Sequence, residues 1–213
     1  MKLKTFGLAL LFTLLPSFIM ASNCGKILKQ PSQLFINLEA EKNGGSTKAR
    51  VNAIQHYQTC YQEKIDQLKN QLDHSGQGPL MGARGDFEEV ENALNELTDY
   101  ALKITATGGT YDQIKAAYAK LYALQFKNVF YQSYLVSKNK TGDNAQLRQA
   151  KNRLYAQLFH YSRDKQNQFN KYFDTFQTSL SRVQGFNSSY LAYQYALWIL
   201  QSPASSTLIN PIF

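Results

Sequence analysis

VNAIQHYQTCYQEKIDQLKNQL, residues 51–72, decides the fold because its apolar or seam positions recur at alternating intervals of three and four residues. That spacing places side chains along one stripe of an α-helix. Residues 87–104 repeat the pattern, and two such segments in succession predict an antiparallel helical hairpin with coiled-coil-like packing. The seam positions are Val51, Ile54, Gln58, Tyr61, Ile65, Leu68 and Leu72 in the first segment and Phe87, Val90, Leu94, Leu97, Ala101 and Ile104 in the second.

The glycine-rich stretch HSGQGPLMGARG, residues 74–85, is predicted to be the turn of this hairpin. Asp86 directly precedes the first seam residue of the second segment, and Glu89 follows three positions later, which is the spacing of a helix N-cap and its capping-box partner. A phosphate-binding loop would need a preceding strand and a lysine after the glycines, and the sequence offers neither. Presentation of Arg84-Gly85-Asp86 to a receptor is the remaining alternative.

The rest of the chain is also predicted to be helical, since residues 80–202 contain no proline and proline breaks helices. The fold class is therefore all-α, an elongated bundle of five or six helices in a single domain over residues 22–202. Besides the hairpin, helices are predicted at residues 32–42, from Thr110 onwards, from 143 or 144 to 184 with a kink near 162–170, and at 187–202. An extended tail is predicted over residues 203–213.

The N-terminus has the build of a secretory signal peptide. Lys2 and Lys4 precede an apolar run over residues 6–19, and small residues follow. The run is too short to span the hydrocarbon core of a bilayer, which takes about 20 apolar residues. We expect residues 1–21 to be removed, with cleavage after Ala21 or Ser22, and the mature protein to be secreted or periplasmic.

Two cysteines, Cys24 and Cys60, remain in the mature chain. In an exported protein, one pair most simply forms a disulfide. The alternative is a lipid anchor on Cys24, but Asn23 fits the residue before a lipoprotein cysteine badly. The disulfide is expected to tie the N-terminus to the first long helix.

No catalytic residue, metal ligand or cofactor site is predicted, because no hydrolase, metalloprotease, P-loop or dinucleotide motif is present. His56 lies four residues before Cys60, which would suit a thiol–base pair or two metal ligands, unless Cys60 is oxidised. His160 has the same spacing to Asp164, as do many ordinary helix-surface pairs. The acidic run over residues 86–99 is interpreted as a solvated or salt-bridged helix face.

Charge is distributed unevenly along the chain. Residues 25–112 contain nine Lys or Arg against twelve Asp or Glu, whereas residues 113–213 contain twelve against three. At about 100° per helical residue, the positive side chains are expected to form a basic strip on each of two long helices. The predicted strip residues are Lys120, Lys127, Lys138, Arg153, His160, Arg163 and Lys171.

Basic strips suit an anionic partner, and an acidic phospholipid surface is the leading expectation, followed by an acidic polymer. Nucleic acid is disfavoured, because export separates the protein from its own cytoplasm and no nucleic-acid motif appears. The function expected is that of an exported bacterial binding protein, such as a secreted effector or an envelope factor. Two alternatives stay open: a protein-interaction or chaperone-like bundle, and an enzyme of unrecognised type. Strips that only neutralise the acidic hairpin would carry no function.

Overall fold

The computed structural model describes residues 23–74, 79–136, 144–183 and 189–201. The predicted signal peptide, the predicted C-terminal tail and Lys138 lie outside these ranges. The described residues are all-helical apart from the connections between helices. The helices are α1 (residues 23–27), α2 (Ser32–Lys42), α3 (Thr47–His74), α4 (Pro79–Thr105), α5 (Tyr111–Val136), α6 (Asn144–Leu158), α7 (Arg163–Arg182) and α8 (Ser189–Leu200).

The long helices alternate in direction. On α3 and α5, Gln58 donates a 2.7 Å hydrogen bond to the carbonyl of Ala117, and the Lys69 ammonium lies 5.4 Å from the ring centre of Tyr131. The two helices therefore run parallel. On α4 and α7, the Tyr100 hydroxyl donates to the Lys165 carbonyl at the start of α7, while Arg182 at its end pairs with Glu89. The latter two helices are antiparallel.

One end of the bundle holds the α4–α5 turn, residues 106–110, and the α6–α7 corner, residues 159–162. The Tyr100–Lys165 hydrogen bond joins the last turns of α4 to the first turn of α7 and so brings the two connections to the same end. We call this the corner end. None of the described helices has the length and apolar character needed to cross a bilayer.

The predicted seams lie where the sequence places them. Every seam residue of the first segment is buried or half-buried on α3, and every one of the second is buried on α4. However, α3 packs mainly against α5, and α4 mainly against α7, so the two helices are not each other's principal partners. Coiled-coil-like packing of α3 on α4 is not confirmed, because α5 is the main partner of α3 and α7 is the main partner of α4.

Aromatic side chains fill the centre of the bundle. The Phe126 ring on α5 lies 5.3 Å, centre to centre, from both Phe176 on α7 and Tyr195 on α8. One turn away, Tyr122 contacts Trp198, with ring centres 5.6 Å apart. The bundle core therefore holds α5, α7 and α8 together.

A second face of α3 holds the N-terminal segment. Cys24 and Cys60 form the predicted disulfide. The Tyr57 hydroxyl lies 2.8 Å from the carbonyl oxygens of both Ile27 and Gln30 and donates to them. These contacts fix the chain before α2 against the helix.

Two sequence predictions need correction. Asp86 does not cap a helix: α4 begins at Pro79, so Asp86 lies inside α4 and the connection is shorter than the predicted turn over residues 74–85. Proline suits the first turn of a helix because its missing N–H would have no partner there. The predicted 143–184 helix is two helices, with the break at residues 159–162, just before the kink expected near 162–170. This division and the short α1 raise the number of described helices to eight.

Candidate functional site

The α6–α7 corner is an ordered turn. The backbone N–H groups of Phe159, His160 and Tyr161 donate to carbonyls three or four residues earlier, at 2.9–3.3 Å. The Gln166 side chain closes the turn by donating a 2.7 Å hydrogen bond to the Tyr161 carbonyl. Leu158 is buried beneath the turn. The backbone of the corner is thus held from both helices.

Phe159 projects from this corner with 82% of its surface exposed. Tyr155, one helical turn earlier on α6, is 55% exposed. All other described phenylalanines are buried or half-buried. An isolated exposed apolar side chain is common on proteins, so the neighbours of Phe159 determine whether its exposure has a functional meaning.

Most of those neighbours are positively charged. From residue 145 to residue 163 the chain contains Arg148, Lys151, Arg153, His160 and Arg163, and no Asp or Glu. Four of them are exposed, and Lys151 is half-buried, with its ammonium 5.3 Å from the ring centre of Tyr193. Within the described part of the chain, none of these groups forms an ion pair with a carboxylate. The exposed face of α6 and the start of α7 therefore carry arginines without an ion-pair partner among the described residues, and Phe159 lies between them in the chain.

The exposed face of α6 has two edges. Arg148, Tyr155 and Phe159 fall within about 40° of one another at 100° per residue, and Arg153 and His160 fall within about 20° on the other edge. Leu154 and Leu158 are buried on the opposite side, against α8. Arg153 and His160 are exposed, whereas the apolar stripe is buried.

The α5 residues are arranged differently. Lys127 is largely buried, with 18% of its side chain exposed, and its ammonium lies 3.4 Å from Oε2 of Glu91. Lys69 contacts Oε1 of the same carboxylate at 2.8 Å. Lys120 is exposed on α5. The structure therefore does not bring Lys120 and Lys127 together in a free strip, and the charge of Lys127 is used inside the bundle.

Glu91 on α4 is the centre of this polar network. Burial would raise the pKa of the Glu91 carboxyl, but hydrogen bonds from Lys69 and Tyr131 and the charge of Lys127 lower it below its usual value. Burial raises the pKa of the Tyr131 hydroxyl, and the Glu91 carboxylate raises it further. Part of the acidic hairpin is thus neutralised by α3 and α5, and the charges on α6 remain uncompensated.

Lys171 is exposed on α7 and lines an open groove of about 890 Å³ between α4 and α7. Both acidic and basic side chains line the groove, and Arg182 on α7 contacts Glu89 on α4 at 2.6 Å. Lys171 therefore lies in a surface of mixed charge, apart from the arginines of α6.

His56 has no free thiol beside it. Cys60 is in the disulfide, and His56 Nδ1 lies 2.7 Å from Oε1 of Glu39 instead. That pair borders a small polar pocket of about 340 Å³ between α2 and α3. Neither His160 nor Asp164 lines this pocket or the α4–α7 groove. Among the described residues, no three His, Cys, Asp or Glu side chains are placed to share a metal ion.

The sequence analysis missed two residues of this surface, Phe159 in the corner and Arg148 on α6. A signal for Phe159 exists in the sequence: at about 100° per residue its side chain lies outside the stripe that contains Leu158, and this angle alone places an aromatic residue on the polar face. Assignment of one continuous helix hid the importance of this position, because the turn that projects the ring from the bundle was not expected there.

No protein-family model, no curated protein and no solved structure shows significant similarity to this chain, so the site stands on its own geometry.

Proposed function

We propose that this chain is an exported protein that binds an anionic surface, with acidic phospholipid head groups as its partner, through α6 and the α6–α7 corner. The observation that carries the proposal is the set of exposed arginines, Arg148, Arg153 and Arg163, without an ion-pair partner among the described residues, in a stretch over residues 145–163 that contains no carboxylate. Export is inferred from the N-terminal sequence, and the Cys24–Cys60 disulfide fits an oxidising compartment.

Electrostatic attraction accounts for the strength of such binding. Each Lys or Arg near an anionic membrane contributes about 1 kcal/mol. Arg148, Arg153 and Arg163 together therefore supply a few kcal/mol, provided that salt does not screen them. The Debye length falls from about 10 Å at 0.1 M salt to about 3 Å at 1 M. Binding is accordingly expected at low salt and lost at high salt.

The test is co-sedimentation with vesicles of phosphatidylglycerol and phosphatidylcholine, against vesicles of phosphatidylcholine alone, at low and high salt. The double variant Arg153→Glu/Arg163→Glu is expected to lose binding. The control is Lys29→Glu/Lys42→Glu, which changes the net charge by the same amount. Lys29 precedes α2, Lys42 is the last residue of α2, and both are exposed. Binding that is absent at low salt, or that both double variants weaken equally, would contradict the proposal.

A second candidate function is protein binding through α2. Leu34 and Leu38 lie one turn apart on this helix and are 56% and 57% exposed. Adjacent apolar side chains on a surface helix are typical of sites that another protein covers. Substitution of both leucines with serine would abolish such an interaction and leave vesicle binding unchanged.

A further inference from the structure

The α6–α7 corner combines charge with an apolar side chain that the fold does not use. Phe159 is 82% exposed, although Leu158 beside it is only 2% exposed. The backbone hydrogen bonds of residues 159–161 hold the ring away from the core. Exposing a phenylalanine forgoes the free energy that burial would supply, so the ring is available for an apolar environment outside the protein.

Tyr155 is suited to the boundary of such an environment. Its ring is 55% exposed and shares the exposed edge of α6 with Phe159. An aromatic ring with one polar group is favoured where one side of a residue is apolar and the other is hydrated. With the Phe159 ring in the apolar region of a membrane, Tyr155, one turn behind it, would lie at the hydrated boundary.

The position of the corner in the fold permits close approach to a flat surface. The corner lies at one end of the bundle, beside the α4–α5 turn. Residues 106–110 of that turn are all exposed. A ring at the end of a bundle can enter a bilayer without displacement of a neighbouring helix.

The charges near Phe159 indicate which kind of partner the ring enters. Arg153 on α6 and Arg163 at the start of α7 lie on either side of Phe159 in the chain, and Arg148 lies further back on α6. The stretch from Arg148 to Arg163 contains no carboxylate, and Asp164 follows it. A partner must therefore offer a dense negative layer directly above an apolar interior. An anionic bilayer has this order, whereas an acidic polymer has no apolar interior.

We infer that Phe159 inserts into the acyl region of an anionic lipid bilayer as an anchor, while the surrounding arginines bind the head groups. This inference rests on the proposed function and adds to it the kind of surface, a bilayer and not a polymer. Loss of the ring is expected to weaken binding about tenfold or more. The membrane-bound ring gains the free energy of burial, and each 1.4 kcal/mol of that free energy changes the affinity tenfold.

The experiment compares wild type, Phe159→Ser and Leu34→Ser on equimolar phosphatidylglycerol–phosphatidylcholine vesicles and on immobilised heparin. Leu34 is the matched control because its side chain is also exposed and apolar, but it lies on α2. The inference expects Phe159→Ser to lose about tenfold or more in vesicle affinity and to keep its heparin affinity, while Leu34→Ser retains both. Near-ultraviolet circular dichroism shows whether each variant keeps its packed core.

A second measurement places the ring directly. Trp198 is the only tryptophan and is buried, so Phe159→Trp in a Trp198→Phe background reports on the corner alone. Its emission is expected to shift to shorter wavelength on anionic vesicles and to be quenched by lipids brominated on the acyl chain.

The outcomes separate the two proposals. If wild type binds no anionic vesicle at low salt, the proposed function and the inference both fail. If wild type binds but Phe159→Ser binds equally well and the tryptophan emission does not move, head-group adsorption stands and insertion is overturned. Equal losses on vesicles and heparin would likewise overturn insertion, because heparin contains no acyl chains.

Discussion

The Tyr131 hydroxyl donates a 2.6 Å hydrogen bond to Oε1 of Glu91, and this bond ties α5 to α4 at a carboxylate that two lysines also contact. The Glu91 side chain is 22% exposed and that of Lys127 is 18% exposed. The network therefore lies in a partly dehydrated position between three helices, where loss of one charge affects the others.

Glu91→Gln is expected to lower the free energy of unfolding by about 1–2 kcal/mol. Glutamine can still accept the Tyr131 hydrogen bond, but it leaves the largely buried Lys127 without its counter-ion. Removal of one partner from a fully buried pair costs about 3–5 kcal/mol, and the remaining exposure of this pair reduces that figure. Urea denaturation followed by circular dichroism measures the change.

Glu89→Gln is the matched control on the same helix. Its ion pair with Arg182 is short, at 2.6 Å, but both side chains are more than half exposed. Exposed pairs contribute about 0–1 kcal/mol. An equally large loss of unfolding free energy for Glu89→Gln and Glu91→Gln would show that burial of the Glu91 network does not determine its contribution to stability.

Acid should remove the contribution of Glu91. The folded protein lowers the pKa of this carboxyl below its usual value of 4.5. The stabilisation is therefore fully present above that value and is lost as the pH falls towards the lower, folded-state pKa. The difference in unfolding free energy between wild type and Glu91→Gln is expected to be constant at neutral pH and to shrink below about pH 4.5. A difference that grows on acidification would reverse the sign of the argument.

The helical seams could be predicted because their information is local. Ile54, Ile65 and Leu68 on α3, and Leu94 and Leu97 on α4, are buried as their three-and-four spacing requires. Periodicity specifies which face of a helix is covered. It does not specify the partner, and the sequence therefore predicted the hairpin's seams but not that α5 and α7 would cover them.

The candidate site was predicted only in part. Arg153, His160 and Arg163 are exposed as expected, but Lys127 pairs with Glu91, on a helix 36 positions earlier in the chain. Such a pairing depends on how distant helices meet, and no local pattern records it. The exposure of Phe159 depends on where α6 ends, and helix boundaries are the part of a prediction that tertiary contacts alter most.

Gly108 is expected to be required in the α4–α5 turn. Its φ of +78° is in the left-handed region, which strains residues with a side chain, although nothing would contact an added Cβ. Gly108→Ala should lower the free energy of unfolding by about 1 kcal/mol. Gly109 has no positive φ, and a Cβ there would meet its neighbours only at ordinary contact distances of 3.9 and 4.0 Å. Gly109→Ala is the control and should leave stability unchanged or slightly raised in the same urea titration.

The disulfide should contribute substantially to stability. It closes a loop with a sequence separation of 36 residues, for which the chain-entropy model gives about 4 kcal/mol. Cys24→Ala/Cys60→Ala is expected to unfold at a lower urea concentration by up to this amount and to keep the helix content of wild type. Reduced wild-type protein provides the control, since it loses the covalent bond but retains both side chains. Equal midpoints for oxidised and reduced protein would contradict the prediction.

Variants of Arg148 and Lys127 distinguish α6 from α5 as the surface that binds an anionic partner. Arg148 is exposed on the same edge of α6 as Phe159, whereas Lys127 is largely buried against Glu91. Arg148→Gln should therefore weaken binding to phosphatidylglycerol vesicles several-fold, as expected for about 1 kcal/mol per cation, without loss of stability. Lys127→Gln should lower the stability and leave vesicle binding unchanged, because the ion pair with Glu91 is lost and the corner is not altered. Vesicle co-sedimentation and urea denaturation on both variants give the two measurements. If folded Lys127→Gln protein bound the vesicles more weakly than wild type, the binding surface would include α5.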